Sequence, residues 1–419
     1  MTSESRFTVL ARPALSILAL LAVGVASPSL GQDQSQPSDS GVQAETEGAG
    51  AAREGEDHGE FSSSPAAPDT EAAVNGAEYW TNQRLREAEP IELPGPESPG
   101  PQGLPEGAEI EAPELTEQFR EEEGEPGSPP EVDPGDELRR QLDYDPEHDE
   151  AAMPQDETEA TSTFGAYFTS KRVAPDAATV AYPYRTVGKL FFRDPRRNTN
   201  HVCSAAVLRP RLVATAGHCV SSPSPNAADR YFYTNFLFVP AFNNGAAPYG
   251  TWTSVQQWVS NEWFHSNGSV PNSGDIAIMI MRDQSINNTP RTIGSVTGWL
   301  GWQTNALSRN HLTLLGYPCN LDSCAKMQET NAGSFAAGGN NTYIYGSAGR
   351  GGHSGGPWVQ DFGVAPAGAT PNLLGLNRLV GITSYGPVST DPKYLGASNL
   401  GQNFINLLNA ACNASNGNC

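Results

Sequence analysis

An all-β fold, a barrel or sandwich, is predicted for residues 161–419, behind a long acidic leader. Three observations predict it. Charge is split along the chain: residues 33–160 carry 36 acidic and 6 basic side chains, a net of -30, while residues 161–419 carry 10 and 17, a net of +7. The second part is rich in short apolar runs with many β-branched and aromatic residues, separated by Gly, Pro and Asn clusters. That spacing suits many short strands and tight turns rather than long helices. All six cysteines also lie in this part, an even count that suits a disulfide-bonded exported domain.

From the N-terminus, Arg6 and Arg12 precede an apolar run from Pro13 to Ala26 that is too short to span a bilayer comfortably and is followed by small residues. Residues 1–32 therefore read as a signal peptide, cut after Ala26 or Gly31. An uncleaved anchor is the rival reading. Residues 33–160 contain only five aromatics (Phe61, Tyr79, Trp80, Phe119, Tyr144), many prolines and no cysteine. Low apolar content with high net charge cannot offset the entropy of ordering, so a mostly disordered pro-segment is expected. One patch, 78–93, stands apart, with aromatic anchors, two arginines and a helix-like run ended by Pro90. It reads either as a chance helical patch or as an element that docks on the folded domain.

In residues 161–419 the strand candidates are Val187–Phe192, Ala205–Leu208, Leu212–Ala214, Phe236–Ala241, Ile276–Met281, Leu312–Leu315 and Leu379–Ser384. Only the end looks helical: Phe404, Ile405, Leu407 and Leu408 recur at helical spacing after Gly401. Six cysteines allow fifteen pairings, and spacing suggests Cys203–Cys219, Cys319–Cys324 and Cys412–Cys419. A metal site is the competing use of these thiols. No Cys-x-x-Cys pair is matched by suitably spaced histidines, so neither metal nor cofactor is expected.

Three stretches carry chemistry: Thr215-Ala216-Gly217-His218-Cys219, Gly274-Asp275-Ile276-Ala277 and Gly352-His353-Ser354-Gly355-Gly356-Pro357. A hydroxyl nucleophile needs an imidazole to take its proton and a carboxylate to fix the imidazole's tautomer. His218 follows an apolar strand and abuts a cysteine, so a bridge there would hold the ring. Asp275 sits at the mouth of an apolar strand, where a carboxylate is costly unless a donor meets it. Ser354 lies among glycines that let the backbone turn sharply and let a substrate carbonyl approach. The backbone N–H groups of Gly352 and Ser354 could then serve an oxyanion, at about 3 kcal/mol of barrier per donor.

On these motifs, in this order, residues of about 180–410 resemble a secreted trypsin-like serine peptidase of the chymotrypsin clan. Pro248-Tyr249-Gly250-Thr251-Trp252 and Leu315-Gly316-Tyr317-Pro318 resemble the microbial glutamyl-endopeptidase group, as does the 78–90 patch. The resemblance implies two packed six-stranded antiparallel barrels with a C-terminal helix and the relay in the cleft between them. It implies peptide hydrolysis through an acyl-enzyme, with Ser384, Tyr385 and Gly386 as the edge along which an extended substrate pairs. A monomer acting on protein or peptide substrates is expected, held in cis by its acidic leader, with no nucleic-acid or membrane partner after signal removal.

The neighbours of the relay depart from the better-known patterns. His353 stands where digestive relatives carry Asp, so a buried terminal ion pair after cutting at Lys171-Arg172-Val173 is not expected. Ala348 stands where trypsin-like pockets carry Asp, and Thr383 where glutamyl relatives carry His. Arg350 brings positive charge near the pocket, and an acidic residue before the scissile bond is one expectation. A fold that kept its shape but lost its chemistry would instead be a silent binding protein. Asn267, Asn287, Asn340 and Asn413 fit the glycosylation sequon.

Overall fold

The computed structural model describes residues 56–67, 78–95, 122–127, 140–141, 166–286, 288–365, 367, 375–387 and 393–419. The signal segment, most of the acidic leader (Phe119 and Tyr144 included) and the sequon at Asn287 lie outside the described residues.

The first barrel contains β1 (Val187–Asp194), β2 (Thr199–Val207), β3 (Leu212–Thr215), β4 (Thr234–Pro240), β5 (Trp252–Ser260) and β6 (Ala277–Met281). Their order is β5-β4-β1-β2-β3-β6, and pairing of β5 with β6 closes the ring. The second barrel repeats this plan with β7 (His311–Gly316), β8 (Gln328–Gly339), β9 (Thr342–Gly346), β10 (Pro357–Gln360), β11 (Arg378–Tyr385) and β12 (Tyr394–Asn399). Its order is β10-β7-β8-β9-β12-β11, closed by β10 with β11. Closure leaves no bare strand edge within either ring. The strands read as apolar runs because their inward faces fill the barrels. Phe191, Phe238 and Trp252 are fully buried in the first, and Trp358, Tyr345 and Tyr385 in the second.

All seven strand candidates fall on strands. Five strands carry no comparable apolar run. The longest is β8, whose Gln-Glu-Thr-Asn-Ala-Gly-Ser-Phe-Ala-Ala-Gly-Gly buries mostly polar residues in its first half, is partly exposed in its second, and has no apolar face to read. The C-terminal helix is present as α1 (Gln402–Asn413), which buries Phe404, Ile405, Leu407, Leu408 and Ala411. Cys412 bonds to Cys419 and closes the chain end. Cys203 bonds to Cys219, and Cys319 to Cys324. Among the described residues no helix is long and apolar enough to cross a membrane.

Several pieces of the leader are built into the two sheets. A hairpin of Glu56–Asp57 and Phe61–Ser63 adds to β5. The 78–93 patch holds only one turn of helix, Asn82–Arg86, capped by the Thr81 hydroxyl, which accepts from the Arg84 N–H. The run stops there because the residue before a proline avoids the helical region, and Glu89–Pro90 is instead extended and pairs in parallel with β2. Trp80 is buried, lies tilted against Phe191 and donates its indole N–H to the Asn235 carbonyl at 2.6 Å. Further on, the leader's Glu123–Gly124 pairs with Gly301–Gln303, and beyond the leader Phe168–Arg172 pairs with β8. Arg378 donates to Glu123 and, at 2.7 Å, to Glu125.

Candidate active site

His218 lies in a single 3₁₀ turn after β3, a turn held by the Cys203–Cys219 bridge to β2. Asp275 lies just before β6, which pairs with β3, so the pairing brings carboxylate and imidazole together. The Asp275 carboxylate is fully buried and accepts three hydrogen bonds. His218 Nδ1 donates at 2.8 Å, the His218 backbone N–H at 2.8 Å and the Ser384 hydroxyl at 2.6 Å. Three donors stabilise a charge that burial alone would make costly. They also fix His218 as the tautomer with its proton on Nδ1, leaving Nε2 as the basic atom. The Trp263 ring stands edge-on to the imidazole with centroids 6.0 Å apart.

Ser384 has this role because β11 bulges against β12 between Thr383 and Tyr385. A bulge re-aims the extra side chain out of the alternation. The sequence placed Ser384 on the substrate edge, but its hydroxyl's bond to Asp275 depends on that bulge and left no trace in the residue pattern. The Tyr385 side chain points into the barrel, where its hydroxyl lies 3.0 Å from Thr342 Oγ1, so only its backbone belongs to the edge. Gly386 offers a backbone N–H there.

Ser354 sits on the loop before β10. A Cβ on Gly355, whose φ is +77°, would collide with Thr215 Oγ1 and the Ser204 carbonyl, so the loop presses on the His218-bearing strand. Gly352 has a φ of +92° and passes against the Tyr317 carbonyl and the Cys319 sulfur. Both positions need glycine. Ser204 on β2 ties the loop down: its N–H donates to the Ser354 carbonyl at 2.7 Å and its hydroxyl to the Gly352 carbonyl at 2.8 Å. The backbone N–H groups of Gly352 and Ser354 take no hydrogen-bond partner among the described residues. Ser354 Oγ and His218 Nε2 are likewise buried without a partner.

His353 turns away from the cleft. Its Nδ1 lies 3.0 Å from Thr383 Oγ1, which also accepts from the Trp358 indole N–H at 2.8 Å. Burial pushes the imidazole down to about 4, so it is neutral near pH 7 and offers no anion to a chain terminus. Thr383 is fully buried in this cluster. Arg172, beside the possible cut site, donates to Asp322 instead. Ala348 is half-buried, and its carbonyl accepts from the Asn320 side chain at 2.9 Å. The half-buried Arg350 donates to the Gly349 carbonyl at 2.9 Å. Among the described residues, one group of three side chains lies close enough to share a metal: Cys203, His218 and Cys219. Its two sulfurs are bonded to each other, so the thiolates a metal would need are not available.

A cleft of about 360 Å³ opens beside His218, walled by Trp263, Tyr233 and, from the leader, Ile91, Glu92 and Pro94. Sequence reading expected the leader to be held in cis but did not single out Ile91, Glu92 and Pro94.

Comparison with known proteins places the chain in a family. A family model for trypsin matches residues 180–407. The chain is 27% identical over 147 residues to an extracellular metalloprotease of Bacillus subtilis, covering 34% of this chain and 42% of that protein. It is 26% identical over 181 residues to a glutamyl endopeptidase of Bacillus licheniformis, covering 43% of this chain and 50% of that protein. The chain thus spans half or less of the curated relatives it matches. Among solved structures, the protease Anisep from Arthrobacter nicotinovorans is 24% identical, with a TM-score of 0.46, covering 58% of this chain and 98% of that one.

Proposed function

The chain belongs to the trypsin family, and we propose that it is an exported serine endopeptidase made as a precursor. The observation that carries the reading is the buried Asp275 carboxylate, bonded to His218 Nδ1 and to the Ser384 hydroxyl, with the glycine-bound Ser354 loop packed against the same strand pair. In this mechanism Ser354 Oγ attacks the peptide carbonyl while His218 Nε2 takes its proton. The Gly352 and Ser354 N–H groups receive the oxyanion. His218 then returns the proton to the leaving amine, and water releases the acyl group by the same steps.

The acyl half of the substrate lies along Ser384, Tyr385 and Gly386, pairing through backbone groups, with the residue before the scissile bond near Ala348, Arg350 and the buried Thr383. The leaving amine must face His218 Nε2, and His218 is tied through the Cys219–Cys203 bridge to the strand carrying Val202, so the leaving half lies on the Val202 side. Three disulfides and the N-terminal apolar run support export. The leader strands built into both sheets support a latent precursor.

One observation favours a second reading, a silent binding protein: His218 Nε2 and Ser354 Oγ are buried without bonding each other. A fluorophosphonate probe separates the two. Labelling of the processed wild type but not of Ser354→Ala supports the peptidase, and no labelling of either supports the binding protein.

A further inference from the structure

The leader residues in the cleft can be followed atom by atom. Glu89 and Pro90 pair with His201 and Val202 in parallel, and the Ile91 N–H donates to the Val202 carbonyl at 3.3 Å. The chain then passes Gly351, where a Cβ would meet Pro90 Cβ at 3.2 Å and the Ile91 carbonyl at 3.3 Å. It reaches the other flank at Pro94, whose carbonyl accepts the Gly386 N–H at 3.4 Å. From N to C the strap therefore runs from Val202 to Gly386. A substrate runs the other way, its acyl half on Gly386 and its leaving half toward Val202.

Between those two bonds the strap carries Leu93, which is 7% exposed and belongs to the apolar cluster of the second barrel. A Cβ placed on Gly386 would lie 3.1 Å from Leu93 Cδ1 and 3.3 Å from Leu395 Cδ2. A Cβ on Gly349 would lie 2.9 Å from His353 Cδ2 and 3.4 Å from Leu395 Cδ1. The two Leu395 methyls thus approach both glycines, and Leu93 lies against Gly386 beside one of them.

We propose that the pocket for the residue before the scissile bond is an apolar, leucine-sized subsite floored by Leu395, and that Leu93 is its resident occupant, carried in by a strap that crosses the groove backwards. This rests on the peptidase reading above and deepens it. The glycine walls admit a side chain, and the leucine floor stops it early and offers no charge to a carboxylate or a guanidinium. Reversal explains why the strap can occupy the groove without being cut. With a strap carbonyl in the oxyanion site, the amide nitrogen of that bond would face away from His218 Nε2, and no proton would reach it. In the bond after Leu93 that nitrogen also belongs to Pro94.

The test uses the full chain carrying Leu93→Asp, which places a charge against the apolar floor, beside the wild-type full chain. Each is treated with leucyl, phenylalanyl, glutamyl and arginyl phosphonates, and with a small fluorophosphonate that needs no subsite. Leu93→Asp is expected to label with the fluorophosphonate about tenfold or more faster than wild type, and with the leucyl probe about tenfold or more faster than with the glutamyl or arginyl probe. Leu395→Ala, added to Leu93→Asp, is expected to shift the preference to the phenylalanyl probe as the floor deepens. Fluorophosphonate labelling with glutamyl or arginyl preference overturns the subsite while leaving the relay intact. Equal labelling of wild type and Leu93→Asp overturns the occupant. No fluorophosphonate labelling of the variant overturns the relay, and this inference with it.

Discussion

Asp275 has no exposed surface and three donors, so its replacement tests charge and geometry together. Asparagine at this position keeps the shape but turns an N–H₂ group toward one of those donors, favouring the wrong imidazole tautomer. Asp275→Asn is expected to lower kcat by about 10³–10⁴ while thermal unfolding moves little, measured on one peptide substrate. His353 gives the residue scale a second prediction. Its folded value is about 4, against an ordinary 6.5, because burial disfavours the cation. Between those values the unfolded chain binds a proton that the folded chain refuses. This group's contribution to stability is therefore complete above pH 6.5 and is lost as pH falls through 4, by roughly 3 kcal/mol. His353→Gln is expected to flatten that part of the stability curve, read from urea midpoints between pH 4 and 7. The three residues of the proposed relay stand out in sequence because each sits in a motif with its own chemical constraint. The Ser384 bond to Asp275 was not, because it follows from a bulge whose cause lies in the pairing of β11 with β12.

At the scale of elements, the described pieces of the leader are held more by strand pairing and apolar contact than by charge. Its ion pairs with Arg378, whose side chain is 9% exposed, use Glu123 and Glu125, whose side chains are 59% and 76% exposed, so each pair opens to solvent on its acidic side. Exposed pairs contribute little and are screened by salt. Raising the salt concentration to about 1 M is therefore expected to change the latency of the full chain by less than about threefold. Trp80 is the stronger anchor, being buried, aromatic and bonded to the Asn235 carbonyl. Trp80→Ala is expected to weaken docking of the 78–94 segment by roughly 3 kcal/mol, about a hundredfold in equilibrium, seen as faster probe labelling of the uncut chain. The net charges had suggested an electrostatic clasp. The 78–93 residues alone hinted at docking, but composition cannot tell a strand added to a sheet from a turn of helix when the partner strand lies over a hundred residues away. The same limit hid β8, which is a strand because β7 and β9 pair with it rather than because of its own residues.

Across the whole molecule, the two barrels form one site only together, with Ser204 of the first bonded to the Ser354 loop of the second. The first barrel also encloses Lys189, whose ammonium lies 4.9 Å from the centres of the Phe191 and Phe242 rings. Burial pushes this lysine down to about 7 from 10.5. An unfolded lysine keeps its proton up to 10.5, so stability should rise as pH climbs from 7 toward that value. Lys189→Met is expected to remove that rise, measured as melting temperature against pH from 7 to 10. The strap has a consequence at this same scale. While Glu89–Pro94 is tethered, its effective concentration at the groove is on the order of millimolar, and the ratio of open to closed forms ignores how dilute the protein is. After a cut in the connecting chain the same segment becomes a separate molecule obeying mass action. Latency then becomes a property of the surrounding volume, so a cleaved population stays quiet where it is crowded and wakes as it spreads.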